Sequence, residues 1–387
     1  MTSEKRKSKH EYSSRLLKTI QFTCPPDVLL IGNGLNRLLD LSSWQKLNKQ
    51  LYNQNEVNTK LLENFDTYQE LPFPLQISAL NTKSDNFYES IEKIMKGINE
   101  NFEEKINSED ETIKNRIALY SKLCNLNFHS ILTTNYDLFV EEFLDKGRTN
   151  VKSAYGRKNV TVLKKRNSLY EFKYVQHKKK GKTEQLDEPY VWHIHGNEEK
   201  PKNIMLDFYL YGTNISVIQS YGYHFIKKYM ACVKKEINNT SNESIMFQPE
   251  SWLDYFFLGN VYIVGLGLDA NEFELRWLLT YRKRIHNILS ERIEKLLIEK
   301  PMFGNIYFMD TFPTKNEIND SNFEQNKRNE VKIRKLEFEI LGCKYKNFCH
   351  GMTENGYEEG YLNIIQCLEN RNTDKFDDIF MKNNEQV

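Results

Sequence analysis

The sequence predicts an α/β protein: a doubly wound, mainly parallel, Rossmann-like sheet with helical and hairpin insertions. Three observations predict it. Short apolar runs recur along the chain, each ending in a glycine or polar turn and followed by a stretch with helical periodicity. Two of those turns, Gly32-Asn33-Gly34 and Gly265-Leu266-Gly267, are of the strand–glycine–helix kind that opens a nucleotide-binding unit. No internal repeat has a fixed period, and only 17 of 387 residues are glycine, which argues against propellers and collagen-like chains.

Taken in order, residues 1–25 read as a polar basic arm carrying Lys5, Arg6, Lys7 and Lys9, with no apolar core of a secretory signal. Val28–Ile31 is the first buried strand, and Leu35–Leu41 begins a helix. Residues 45–125 read as a mostly helical insertion. Phe87, Ile91, Ile94, Met95 and Ile98 share one helical face, and Leu71-Pro72-Phe73-Pro74 predicts a loop. The second strand is 129–134, and a helix is expected over 138–144. Residues 146–188 read as inserted hairpins and loop, including the basic run Lys178–Lys182. The third strand, 190–194, ends at His195-Gly196, and a short strand over 203–206 and a helix over 214–237 are expected next. The cleanest unit is the strand Val261–Val264, the turn through Asp269, and a helix over 272–284. A strand over 306–309 closes the expected domain, 26–312. Residues 313–387 read as a helical extension, with helices at 322–341 and 355–370.

Composition sets limits on function. Lys and Arg total 54 against 53 Asp and Glu, so the charge of +1 argues against a nucleic-acid coating protein, and no direct nucleic-acid site is evident. The longest apolar candidate, 255–268, falls short of the roughly 18 residues a membrane helix needs. Six scattered cysteines form no CxxC pair, so a reducing, cytoplasmic setting without disulfides is expected.

Several segments carry candidate chemistry. The Gly32–Gly34 turn suits close approach of a pyrophosphate to backbone N–H groups, but it also suits a plain tight turn. It lacks the third glycine of a dehydrogenase fingerprint, since position 37 is Arg37. Asn33 and Asn36 stand ready to add polar contacts. Thr133-Thr134-Asn135-Tyr136-Asp137 lies at a strand end, where open α/β sheets collect ligands. Helix capping by Asn135 or Asp137 is the equal alternative. His193 and His195, two apart in an extended segment, share a face, but a metal would need a third ligand and none stands out. His195 alone, beside Gly196, is the better candidate for chemistry. Cys343, Cys349 and His350 have no regular zinc spacing, and Gly181-Lys182-Thr183 lacks the first glycine and preceding strand of a phosphate loop. No metal is expected.

Taken together, Gly32-Asn33-Gly34-Leu35-Asn36, Thr133-Thr134-Asn135-Tyr136-Asp137, Ile194-His195-Gly196 and Val264-Gly265-Leu266-Gly267 with Asp269 resemble the sirtuin-like fold over roughly 26–310. They most resemble its bacterial anti-phage defence branch, which hydrolyses NAD. Protein-deacylating sirtuins carry a four-cysteine zinc module after the HG motif, whereas only Cys232 lies between 196 and 342 here. The resemblance implies NAD with its pyrophosphate on Gly32–Gly34, held also by Asn33, Asn36 and Thr134, and its adenosine ribose bordered by Gly265, Gly267 and Asp269. Asn135 would orient water or the nicotinamide ribose, His195 would act as general base, and Asp137 would hold the carboxamide or steady the cation. The expected activity is cleavage of NAD to ADP-ribose and nicotinamide. A catalytically silent NAD or ADP-ribose sensor is the alternative, and a protein deacylase a weaker one. Apolar positions such as Phe323, Val331, Leu336, Phe338 and Leu341 on the C-terminal helices predict a homo-oligomer interface or packing on the chain's own sheet, and the resemblance further implies a separate activating partner such as a HerA-type hexameric ATPase.

Overall fold

The computed structural model describes residues 25–41, 44–54, 65–80, 85–146, 160–163, 174–177, 190–239, 247, 249, 251–268, 272–296, 303–311, 321–348, 354–373 and 376–382. The basic arm before residue 25, the Lys178–Lys182 run, Asp269, Cys349 and His350 lie outside them.

Eight strands form one sheet: β1 (Asp27–Ile31), β2 (Ser130–Thr133), β3 (Val160–Leu163), β4 (Tyr174–His177), β5 (Tyr190–His193), β6 (Asn260–Val264), β7 (Ile306–Asp310) and β8 (Lys344–Asn347). Their order is β3-β4-β5-β2-β1-β6-β7-β8. The six from β5 to β8 are parallel, while β3 and β4 form an antiparallel hairpin that extends the β5 edge. In chain order the parallel six run 3-2-1-4-5-6, the doubly wound order whose direction reverses between β1 and β6.

The strands are apolar because both faces are covered. In β1, Val28 and Leu30 join a core with the helices Phe208–Ile237 and Phe273–Glu294. Leu29 and Ile31 face the other way, onto a core with the helices Glu111–Cys124, Phe139–Lys146 and Glu354–Glu369. A third cluster joins Leu51, Ile77, Phe87 and Ile91 of the helical insertion to Tyr136 and Leu206, so the insertion packs beside the β2 and β5 strand ends.

Several boundaries differ from the expected ones. Pro72 is the N-cap of a helix, Phe73–Ser78, rather than part of a longer loop. Proline fits the first turn, where its missing N–H has no intrahelical partner to lose. Residues 204–206 form no strand: a 3-10 turn over Pro201–Asn203 precedes them, and one bond from Met205 N to His195 O ties them to the β5 exit. The helix expected from 214 begins at Phe208, because the Asp207 side chain caps the Leu210 N–H at 2.7 Å.

The largest difference concerns residues 313–387. They are not purely helical, for β8 pairs with β7 and extends the parallel sheet beyond residue 312. Its KYKN sequence hides it: Tyr345 and Lys346 are buried, but the run has no apolar pair. Val331 and Phe338 of the helix Ser321–Ile340, expected either at an interface or on the chain's own sheet, belong to the protein's own core. Phe338 stacks on Phe308 at 3.8 Å. Further on, Arg371 Nε donates to Asp27 Oδ2 at 3.0 Å, both residues buried. This bond fastens the chain's last third to the beginning of the first strand.

The two long helices over one sheet face meet at Gly222, where an added Cβ would lie 2.6 Å from the Tyr281 ring. Tyr281 is fixed there by its hydroxyl, which donates to Gln219 O at 2.9 Å. Gly222→Ala should therefore lower stability by about 1–3 kcal/mol through overpacking, despite alanine's better helix propensity. Thermal unfolding checks this, and Tyr281→Leu in the same chain should restore part of the loss.

Candidate active site

The site is built from the carboxyl ends of β1, β2, β5 and β6. Gly32 N donates to Val264 O at 3.0 Å and Gly34 N to Gly265 O at 2.7 Å, so the β1 and β6 turns are fastened to each other. A Cβ on Gly32 would stand 2.5 Å from Gly265 O, and one on Gly34 would stand 2.7 Å from Gly265 Cα. Both glycines are thus required by contact with the neighbouring turn. Gly265 itself adopts φ +67° and Leu268 φ +47°, so the β6 turn is tightly folded. Gly267 O accepts from Arg334, which also binds Asp310 at the end of β7. Asn33 is the N-cap of the short helix Gly34–Leu38 but gives it no side-chain hydrogen bond.

Asn36 and Asp137, far apart in sequence, meet. Asn36 Nδ2 donates to Asp137 Oδ2 at 2.6 Å, while its Oδ1 accepts from Tyr120 at 3.1 Å. Asp137 Oδ1 accepts from Phe139 N at 3.2 Å, at the start of the Phe139–Lys146 helix. Both side chains are therefore committed to protein partners. Burial raises the Asp137 carboxyl to about 6, against the lowering effect of the Phe139 amide and Asn36.

Asn135 is buried, its N–H donating to Thr133 Oγ1 at 3.0 Å and its amide reaching Gly32 O at 3.4 Å. Buried Thr134 donates its N–H to Ile31 O at 3.1 Å, joining the β2 exit to β1. His193 supports Asn135 from beneath. Its Nδ1 donates to Asn135 O at 2.9 Å and its Nε2 lies 2.8 Å from Glu141 Oε1. Burial works against the charged ring, but Glu141 and the Asn135 carbonyl outweigh it and raise His193 to about 9.

His195 turns elsewhere. The strand ends at His193, and Ile194 and His195 lie in a turn, so the alternation that would have kept the two histidines together is lost. His193 bonds to the helix over one sheet face, whereas His195 bonds to Glu274 of the helix over the other. His195 Nε2 lies 2.9 Å from Glu274 Oε2, and Asn214 donates to Glu274 Oε1. All three residues are buried, and Tyr211 packs edge-on against the imidazole at 5.4 Å. The other ring nitrogen, Nδ1, is buried without a hydrogen-bond partner. Such an atom is suited to a bound polar group.

Glu274, Asn214, Glu141 and Tyr120 did not emerge from the motifs. Two left a signal: Glu274 lies on the helical stripe Leu278, Arg282, Ile285, Leu289, and Asn214 on the stripe Tyr211, Ile218, Phe225. A polar residue on a mainly apolar buried stripe needs a partner.

The charges near Asn135 predict a pH dependence of stability. His193 is raised from its unfolded value near 6.5, so its contribution is complete below that value and lost as pH rises through about 9. Glu198, raised by burial to about 7, acts in the same direction, its folded carboxyl holding a proton that the unfolded chain has lost. His286, lowered by burial to about 3, acts oppositely only below its unfolded value. His193 should therefore account for a loss of about 2 kcal/mol between pH 7 and 9. Thermal unfolding at both pH values measures the change, and Glu141→Gln should remove the His193 part of it.

Among the described residues no cluster of three or more His, Cys, Asp or Glu could hold a metal, and no helix is long and apolar enough to cross a membrane. A family model described as a SIR2-like domain matches residues 129–243. That segment carries Thr134, Asn135, Asp137 and His195, with β2, β5 and the Phe208–Ile237 helix, but neither glycine turn. No curated protein matches the chain. The match supports a sirtuin-like family, on a Rossmann-like α/β fold, and a SIR2-like domain implies NAD use.

Proposed function

We propose that the protein is an NAD hydrolase that cleaves the nicotinamide–ribose bond. The observation that carries this reading is His195: a buried imidazole with one nitrogen against Glu274 and the other without a partner, at a strand end beside that of Asn135. NAD and water give ADP-ribose, nicotinamide and a proton. As the C–N bond breaks, its electron pair goes to the nicotinamide ring, whose positive charge is cancelled. The water oxygen bonds to C1′ of the ribose and its proton passes to His195 Nδ1. The leaving group departs neutral, so the site's work is placement of water and support of the oxocarbenium-like centre. Asn135 serves that placement with its carboxamide. Asp137 and Asn36, bonded to each other, shape the wall rather than reach the substrate.

In this reading the protein is the effector of an anti-phage defence system that depletes NAD. It is cytoplasmic and homo-oligomeric, and it is activated by a separate protein such as a HerA-type hexameric ATPase. Ile333, Leu336 and Ile340, all more than half exposed on the Ser321–Ile340 helix, favour an interface there. Incubation with NAD alone, with NAD and an acyl-lysine peptide, and with neither, each with the activating partner present, tests the reading. A hydrolase releases nicotinamide without peptide, a deacylase only with it, and a silent NAD or ADP-ribose sensor binds and releases none.

A further inference from the structure

We infer that Glu274, held by Asn214, is the positioning residue that fixes His195 with its proton on Nε2 and its lone pair on Nδ1. The inference rests on the reading of His195 as the base, but its structural part can be measured without NAD.

The geometry assigns each atom a duty. Glu274 has two carboxylate oxygens and both are engaged, Oε2 with His195 Nε2 at 2.9 Å and Oε1 with the Asn214 amide. A carboxylate offers only acceptors, so the imidazole nitrogen facing it carries the proton. The ring's lone pair is then on Nδ1, the buried atom that has no partner. Asn214 comes from the helix Phe208–Ile237 and Glu274 from the first turn of Phe273–Glu294, two helices that pack tightly at Gly222. The carboxylate is thus held from two rigid elements, and the ring is further braced by Tyr211. Once Nδ1 accepts a proton, the imidazolium keeps its bond to a carboxylate, which stabilises the charge formed during the reaction. A base oriented by a third group in this way is a recurring catalytic arrangement.

A structural role alone would make the same contacts, so the test must read the tautomer. Long-range proton–nitrogen spectra of the nitrogen-15-labelled full chain should show His195 with a protonated Nε2 and an unprotonated Nδ1. Glu274→Gln, which has the same shape but offers a donor as well as an acceptor, should give a mixture of tautomers. In nicotinamide release from NAD the same variant should lower kcat roughly 10- to 100-fold with little change in KM. Asn214→Ser keeps the charge and loosens its hold, so its kcat should fall less. It also serves if Glu274→Gln does not fold. A wild-type spectrum with the proton on Nδ1, or variants with unchanged tautomer and kcat, would overturn the assignment. A tautomer that shifts as expected, with no nicotinamide released even from the complete, triggered complex, would retain Glu274 as the positioning residue and remove the hydrolase reading instead.

Discussion

His195→Gln and Asn135→Ala should each reduce NAD hydrolysis by about 10²–10⁴-fold while leaving most of the affinity for NAD. Both side chains are assigned to the reacting bond, and interactions made chiefly in the transition state lower kcat when lost, with little effect on ground-state binding. The structure decides which substitution is informative. His195→Ala would leave Glu274 buried with one oxygen unpaired, a change that destabilises on its own account. Glutamine keeps a donor near Glu274 and removes the base. Asn135→Ala removes a long 3.4 Å bond to Gly32 O and a side-chain hydrogen bond with Tyr120, and keeps the backbone contacts to Thr133 and His193. Calorimetric NAD binding, turnover and circular dichroism, taken together on both variants, check this. Wild-type turnover in either, or loss of activity only through unfolding, would displace the assigned site.

Gly32→Val should have an effect of comparable size by another route. The sequence alone suggests that a side chain here would obstruct a phosphate. The structure adds a nearer obstacle, since the added Cβ would meet Gly265 O at 2.5 Å and Leu266 Cα at 2.8 Å. Those are backbone atoms of a turn whose Gly265 is already at positive φ, so neither side can yield cheaply. The β1 and β6 turns must separate, breaking the bonds from Gly32 N to Val264 O and from Gly34 N to Gly265 O. We expect a stability loss of about 3 kcal/mol or more, read as a lowered thermal midpoint, together with loss of NAD binding. A variant with an unchanged midpoint and lost binding would show that the turn tolerates a side chain and that obstruction of the ligand dominates.

The parallel core was legible because its strands are buried on both faces. Val28–Ile31 and Val261–Val264 stand out as apolar runs ending in glycine, and their register follows once the turns are matched. β8 was not legible: Lys344-Tyr345-Lys346-Asn347 buries Lys346 beside Phe348 and Phe380, and Phe380 comes from a distant part of the chain. The site divides the same way. Asn135, Asp137 and His195 lie at strand ends that local patterns locate. Their partners come from elsewhere: Glu274 is 79 residues from His195 and Asn36 is 101 from Asp137. Nothing in either local stretch specifies the pairing. The divergence of His193 and His195 was hidden for a related reason, because alternation holds only while the strand continues, and it stops at His193.

The most direct test of the account is a time course of NAD, nicotinamide and ADP-ribose, separated by chromatography, for the wild-type chain and Asn135→Ala. It should be run with the chain alone and with its activating partner, and without acyl peptide. The account predicts loss of NAD with equal amounts of nicotinamide and ADP-ribose from the activated wild type, and almost none from the variant. Activity near zero in the isolated chain is compatible with this. Release of no nicotinamide from the complete, triggered complex at any concentration, or release at the same rate from Asn135→Ala, would contradict it.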